Sequence, residues 1–340
     1  MKTLIGALIV FAFFQSCNSP SVSISDSKFN YKTPSFFPEI SFPEDNAPSA
    51  LRIQLGRRLF FDTRLSANNK ISCASCHVAS MAFTDGVEKS LGAHGKKGRR
   101  NAPTLANLAW MPYFMAEGGV PTLEVQILGP IQDSMEMAFP LPKAAEILRA
   151  DIRLNNLSKV AYGRDLDEYV ITRAIACYER SFISADSRFD RFYYLKNQNE
   201  LNESEKRGMQ IFFSDKANCS TCHKPPFFTD YKFYNVGLYE HYEDNGKERV
   251  TYQSEDIGKF KTPTLRNIEL TGPYMHDGSL NTLSDVIELY NKGGVNHPNQ
   301  SNLIVPQNWT AEEKRDLEFF LKTLTDWNFA QNPLFVPLEQ

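Results

Sequence analysis

The sequence predicts a mainly α fold made of one domain repeated in tandem, with long loops and little sheet. Three observations predict it. Apolar residues recur at helical spacing, as in Leu51, Leu55 and Leu59. Few stretches alternate polar and apolar residues, the mark of a half-buried strand. Short motifs from the first half return in the same order in the second.

The elements follow in chain order. The chain of 340 residues has room for two ordinary domains. Its 42% hydrophobic and 23% charged residues suit a globular protein. At a net charge of −3, and with only the short Lys96-Lys97-Gly98-Arg99-Arg100 run, nothing points to nucleic acid. Residues 1–16 read as a signal peptide, Lys2 followed by the apolar run Leu4 to Phe14. That run is too short to span a bilayer as a helix. Phe14-Gln15-Ser16-Cys17 has the look of a lipoprotein signal, with Cys17 lipidated; a plain secretory signal is the alternative. Either way the chain is expected to be exported to the periplasm and to meet a membrane by its lipid anchor only. Residues 17–50 are a Ser-, Pro- and Phe-rich tether and extension. Domains are expected at 51–195 and 196–330, with a tail at 331–340. Pro142 to Leu154 and Leu166 to Ile183 read as amphipathic helices. Thr310-Ala-Glu-Glu313 is a capping box opening a last helix through Leu324.

The repeat is specific. Gly56-Arg-Arg-Leu-Phe-Phe61 returns as Gly208-Met-Gln-Ile-Phe-Phe213, and each copy precedes a C-x-x-C-H. Pro103-Thr-Leu-Ala-Asn107 returns as Pro263-Thr-Leu-Arg-Asn267. Glu117-Gly118 with Thr122-Leu123 returns as Asp277-Gly278 with Thr282-Leu283.

Cys73-Ala-Ser-Cys76-His77 and Cys219-Ser-Thr-Cys222-His223 both carry the attachment signal for c-type haem. Two thiols one helical turn apart add to the two vinyl groups, and the adjacent His lies under the iron as proximal ligand. A four-Cys zinc site or a thioredoxin-like pair uses C-x-x-C as well, but neither needs a His after the second Cys in both copies. Each half is therefore expected to be a cytochrome-c-like haem domain. Cys177 reads as a buried free thiol, which leaves no spare pair for a disulfide.

The sixth position on each iron separates a carrier from an enzyme. Counting seven residues from Leu283 reaches Tyr290, a candidate ligand; counting seven from Leu123 reaches Pro130, which cannot bind iron. The first haem is expected to be open and the second closed. Glu136, six residues after Pro130, is then placed for general acid–base work on bound peroxide. Read alone, Glu136 is a surface glutamate and Tyr290 a core tyrosine. Met275, His297 and His276 are rival ligands.

Several motifs together carry a resemblance: Leu59-Phe-Phe-Asp62 with Arg64-Leu-Ser66, both C-x-x-C-H sites, Gly98 to Thr104, Leu123-Glu-Val-Gln126, Gly129-Pro130, Glu136-Met137, Thr262 to Asn267 and Pro273 to Gly278. Over residues 51 to 326 the chain resembles the bacterial di-haem cytochrome c peroxidases and the MauG-type di-haem enzymes. The resemblance implies that Glu136 is the catalytic glutamate of the N-terminal haem, with Gln126 and Pro130 in its distal pocket. It places His94 near a loop histidine that is the resting sixth ligand of that haem, on a loop one residue shorter here. It implies a calcium ion between the haems, held by Asn101 and the carbonyls of Thr271 and Pro273, and puts His276 near the haem propionates. Two departures stand out. Tyr290 replaces the Met ligand of the peroxidases, as in the MauG type, and Ala116 replaces an inter-haem Trp, with Trp110 six residues away.

The leading expectation is an oxidoreductase of the cytochrome-c peroxidase type, reducing H2O2 with electrons from a small exported c-type cytochrome or copper protein, as a homodimer in some relatives. A MauG-like oxidase acting on a protein or peptide is the alternative. A non-enzymatic di-haem electron-transfer cytochrome is the third reading.

Overall fold

A computed structural model of the chain describes residues 29, 31 and 33–338; the signal segment and Cys17 lie outside the described residues. Thirteen helices follow in order: α1 (Ala50–Phe60), α2 (Leu123–Gln126), α3 (Leu128–Gln132), α4 (Leu141–Arg149), α5 (Ile152–Tyr162), α6 (Glu168–Glu179), α7 (Arg188–Tyr193), α8 (Glu203–Phe212), α9 (Cys219–Cys222), α10 (Glu248–Thr251), α11 (Leu283–Lys292), α12 (Ala311–Lys322) and α13 (Trp327–Ala330). The sheet among the described residues is one pair, β1 (Phe233–Tyr234) antiparallel to β2 (Phe260–Lys261). The fold is mainly α with long loops, as expected.

Helix ends follow from local chemistry. Ser49 caps α1 by accepting from Arg52 N, and Thr310 and Glu313 close the expected capping box on α12. The stretch expected as one helix from Pro142 to Leu154 is two. α4 ends at Arg149, and Asp151 caps α5 through the backbone N–H groups of Arg153 and Leu154. An internal aspartate that can cap competes with continuing the helix.

Two hydrophobic clusters form. In the first, α1 crosses α6 at Gly56, where a Cβ would sit 1.9 Å from the Ala174 carbonyl oxygen and 2.8 Å from Tyr178 Cβ. In the second, α8 crosses α12 at Gly208, where a Cβ would sit 1.9 Å from the Asp316 carbonyl oxygen and 2.9 Å from Phe320 Cβ. Only glycine lets two helix backbones approach so closely. The loops repeat as well. Asn107 and Asn267 both have φ 62, Met115 and Met275 have φ 66 and 73, and Gly118 and Gly278 have φ 75 and 74. Phe114–Val120 and Tyr274–Leu280 form the same isolated bridge.

The halves are stitched together by polar and aromatic contacts. Asn267 Nδ2 donates to Ser184 Oγ, Asn107 Nδ2 donates to the Ser184 carbonyl, and Asp326 accepts from the N–H groups of Ala185 and Asp186. Phe37 of the N-terminal extension packs edge-on against Trp110 and Phe227. Beyond α13, in the segment expected to be a tail, Phe335 is buried in the first cluster against Phe83 and Phe182.

Candidate haem sites and peroxide pocket

Each C-x-x-C-H forms a short helical turn, Cys73–Ser75 and Cys219–Cys222, with His77 N and His223 N donating to the carbonyls of Cys73 and Cys219. All four thiols are free and partly buried. His77 Nδ1 lies 2.7 Å from the Phe83 carbonyl oxygen, and His223 Nδ1 lies 3.0 Å from that of Phe228. A carbonyl only accepts, so Nδ1 carries the proton and Nε2 keeps its lone pair. Burial holds both imidazoles below their usual pKa and so neutral. A neutral His fixed through Nδ1–H is the form that binds iron through Nε2, and the adjacent thiols are those a c-type haem needs. The residues fit two such groups.

On the far side of the first site, the short helices α2 and α3 carry Gln126 and Pro130, both half-buried. Glu124 on α2 is anchored from behind. Its carboxylate accepts from Arg180 Nη1 and Nη2 at 2.5 and 3.0 Å and from Asn46 Nδ2 at 2.7 Å. Met137 N donates to the Pro130 carbonyl at 3.0 Å, which sets Glu136 beside Pro130. Desolvation, then Asp133, raises the Glu136 pKa above the usual carboxylate range, with Arg99 opposing. Glu136 lies close enough to Cys73 and Cys76 to act on both electrostatically. The loop expected to carry a ligand packs here: Ala93 N donates to the Glu136 carbonyl at 2.6 Å. The His94 side chain is exposed.

Tyr290 on α11 packs, half-buried, against the second cluster, as does Cys219. Its phenol is pushed well above its ordinary pKa by desolvation first and then by Cys219, Cys222 and Tyr242. Among the rivals, His297 Nδ1 accepts from Asn299 N at 3.0 Å, and His276 stacks on Phe260 at 3.9 Å. Met275 holds a left-handed turn with Gly278 N donating to its carbonyl.

Between the sites the halves exchange equivalent hydrogen bonds. Asn101 N donates to the His276 carbonyl at 2.9 Å, and Lys261 N donates to the Ala116 carbonyl at 2.8 Å. Asn101 Nδ2 donates to the Val87 carbonyl at 2.9 Å; Thr271 and Pro273 lie just before the His276 loop. Around Ala116, Arg100 joins Glu117 to Asp244, and Lys261 Nζ donates to the Tyr113 carbonyl at 3.0 Å. Burial lowers the Lys261 pKa to about 8, with Glu117 opposing. Trp110 sits apart in the Phe37–Phe227 cluster, its Nε1 donating to the Pro38 carbonyl. Sequence reasoning missed this interlock, although the alignment of Asn101 with Lys261 and of Ala116 with His276 in the repeat was a usable signal.

Comparison with known proteins agrees with the geometry. Residues 50–200 match the family model described as di-haem cytochrome c peroxidase. The chain is 34% identical to cytochrome-c peroxidase IdrP1 of a Pseudomonas species, over 85% of this chain and 84% of the relative. It is 34% identical to the methylamine utilization protein MauG of Methylorubrum extorquens, over 87% and 84%. Among solved structures, a MauG-like protein associated with microbial copper homeostasis superposes with a TM-score of 0.87 at 36% identity, covering 91% of this chain and 99% of that one. The diheme peroxidase BthA of Burkholderia thailandensis, at 22% identity and a TM-score of 0.71, shares the fold. The chain belongs to the family of di-haem cytochrome c peroxidases and MauG-type enzymes, oxidoreductases that carry two c-type haems.

Proposed function

We propose that this chain is a MauG-type oxidase: it reduces hydrogen peroxide at the first haem site and draws the two electrons from a protein or peptide donor outside the chain. What supports this reading is the unlike residues at matching places of the repeat, Pro130, with Glu136 close by, in the first half and Tyr290 in the second. A c-type haem with an open position supplies the reductive cleavage of the O–O bond. The chain does the rest. His77 and His223, with Nδ1 tied to backbone carbonyls, would hold the two irons. Pro130 offers no ligand, so the first distal side stays open to peroxide. The Gln126 amide orients it. Glu136 would take the proton from one peroxide oxygen and return it to the other, which leaves as water. Its raised pKa suits a group that must both accept and donate near neutral pH. At the second site a Tyr290 phenolate favours oxidised iron, which disfavours storing an electron there before peroxide arrives. The solved relative associated with copper homeostasis makes an exported copper-handling protein the first substrate to try.

The second reading is the ordinary cytochrome-c peroxidase, fed by a small c-type cytochrome or copper protein. The 34% identical relative named as such favours it. Stopped-flow mixing of the fully oxidised protein with peroxide separates the two. The MauG-type reading expects both haem spectra to respond without added reductant. A reaction that starts only after half-reduction, followed by rapid turnover with reduced cytochrome c, rejects it.

A further inference from the structure

The last helix of each half crosses the first at equivalent positions, Tyr178 over Gly56 and Phe320 over Gly208. The next residue along differs. In the second half it is Leu321, buried in the cluster against which Cys219 packs. In the first it is Glu179, 5% exposed, and its Oε2 has no hydrogen-bond partner. Buried polar atoms are almost always paired, so an orphaned carboxyl oxygen in a packed core calls for a reason. The adjacent Arg180 does not serve it, because Glu124 already engages that guanidinium through both oxygens.

The ionisable groups around Glu179 are Tyr178 and Arg180 on its own helix, Glu124 on α2 and Cys73 in the attachment loop. Of the charged groups, Glu179 acts most strongly on Cys73, ahead of Cys76 and Glu136. Burial raises its pKa to about 8, Glu124 adding to the rise and Arg180 opposing it. Burial thus brings the titration of Glu179 up toward neutral pH, where a change of charge nearby can shift its protonation, and among the charged groups its field falls most strongly on Cys73, the thiol that would fasten the macrocycle.

We infer that Glu179 is the proton-exchanging residue of the first haem site, its free Oε2 gaining a proton when the haem fastened at Cys73 gains an electron and losing it when the electron leaves. The electron comes from an external reductant and the proton from solvent; the Oε2–H bond is the only one formed or broken. Glu179 acts through the charge of the site, not on peroxide. It is a positioning residue, placed where the second half needs only an apolar contact. The inference rests on haem attachment at Cys73 and is independent of which donor the enzyme uses.

Reduction adds negative charge, which favours the protonated carboxyl. Raising the pH removes that proton and so lowers the potential. Potentiometric titration of the holoprotein from about pH 6 to 9, with absorption readout, should show the first haem's potential falling with pH. The slope should approach ~59 mV per tenfold change in proton activity. Glu179→Gln should flatten it. A redox-difference infrared spectrum should show a carboxylic-acid band that Glu179→Gln lacks. Should Glu179→Gln fail to take up the first haem, Glu179→Leu, which copies Leu321, carries the same test. A slope that survives in the Glu179 variants, or that is absent from the wild type, overturns the inference.

Discussion

The two halves of this molecule are alike in backbone and unlike in a handful of side chains. Both bury a glycine under a helix crossing, both lock the motif histidine to a phenylalanine carbonyl, and both turn through left-handed Asn, Met and Gly residues at matching places. Against that common frame, Pro130 stands where the second half has Tyr290, Ala116 where it has His276, Ala106 where it has Arg266, and Glu179 where it has Leu321. The frame attaches a cofactor; the exceptions decide what each cofactor does. A duplicated fold can therefore divide labour while keeping its backbone frame, because function resides in particular side chains set on that frame.

The largest expected effect breaks the comparison at the first distal side. Glu136→Gln keeps the size and removes the base, so peroxide-driven turnover should fall about 10²–10⁴-fold, roughly 3–5 kcal/mol in the barrier. Steady-state rates within about twofold of wild type would take Glu136 out of the mechanism.

A smaller effect lies where the halves join. Arg266 is fully buried, and its two Nη atoms donate to Asp190 at 2.8 Å each. The first half fills the equivalent place with Ala106, also buried. Arg266→Ala would strand Asp190, a change that costs about 3–5 kcal/mol. Calorimetry should then show the second half melting ahead of the first. A single unsplit transition at the wild-type temperature would mean that the pair contributes nothing to holding the second half.

Much of this was legible in the sequence. The C-x-x-C-H motifs need local spacing only, and the repeat was read from short motifs whose order survives. The Thr310 capping box was equally local. What escaped depended on distant residues meeting. The orphaned Glu179 lies in a helix that reads as uniformly amphipathic, and nothing in its neighbours announces that Arg180 is engaged elsewhere. The interlock of Asn101 with His276 and of Lys261 with Ala116 uses backbone atoms, which leave no pattern in residue types. The placement of Phe335 in the first core, from a segment that looks like a tail, is another long-range event.

The smallest expected effect on stability is also the one that sharpens the comparison most. Tyr290 is half-buried, its hydroxyl makes no hydrogen bond to a described residue and its ring packs at the margin of the second cluster. Deleting that oxygen forfeits no internal hydrogen bond, so Tyr290→Phe should change stability by less than about 1 kcal/mol. As a core tyrosine it would change nothing else. As the group facing the second iron, it would leave that iron open like the first. The oxidised second haem should then bind small ligands such as cyanide, and its spectrum should approach that of its partner. Tyr290→Met should give a haem that reduces more easily, because a thioether favours reduced iron where a phenolate favours oxidised iron. Wild-type haem spectra in both variants, with unchanged cyanide binding, would return Tyr290 to the core. The asymmetry of the two halves would then rest on Pro130 and Glu136 alone.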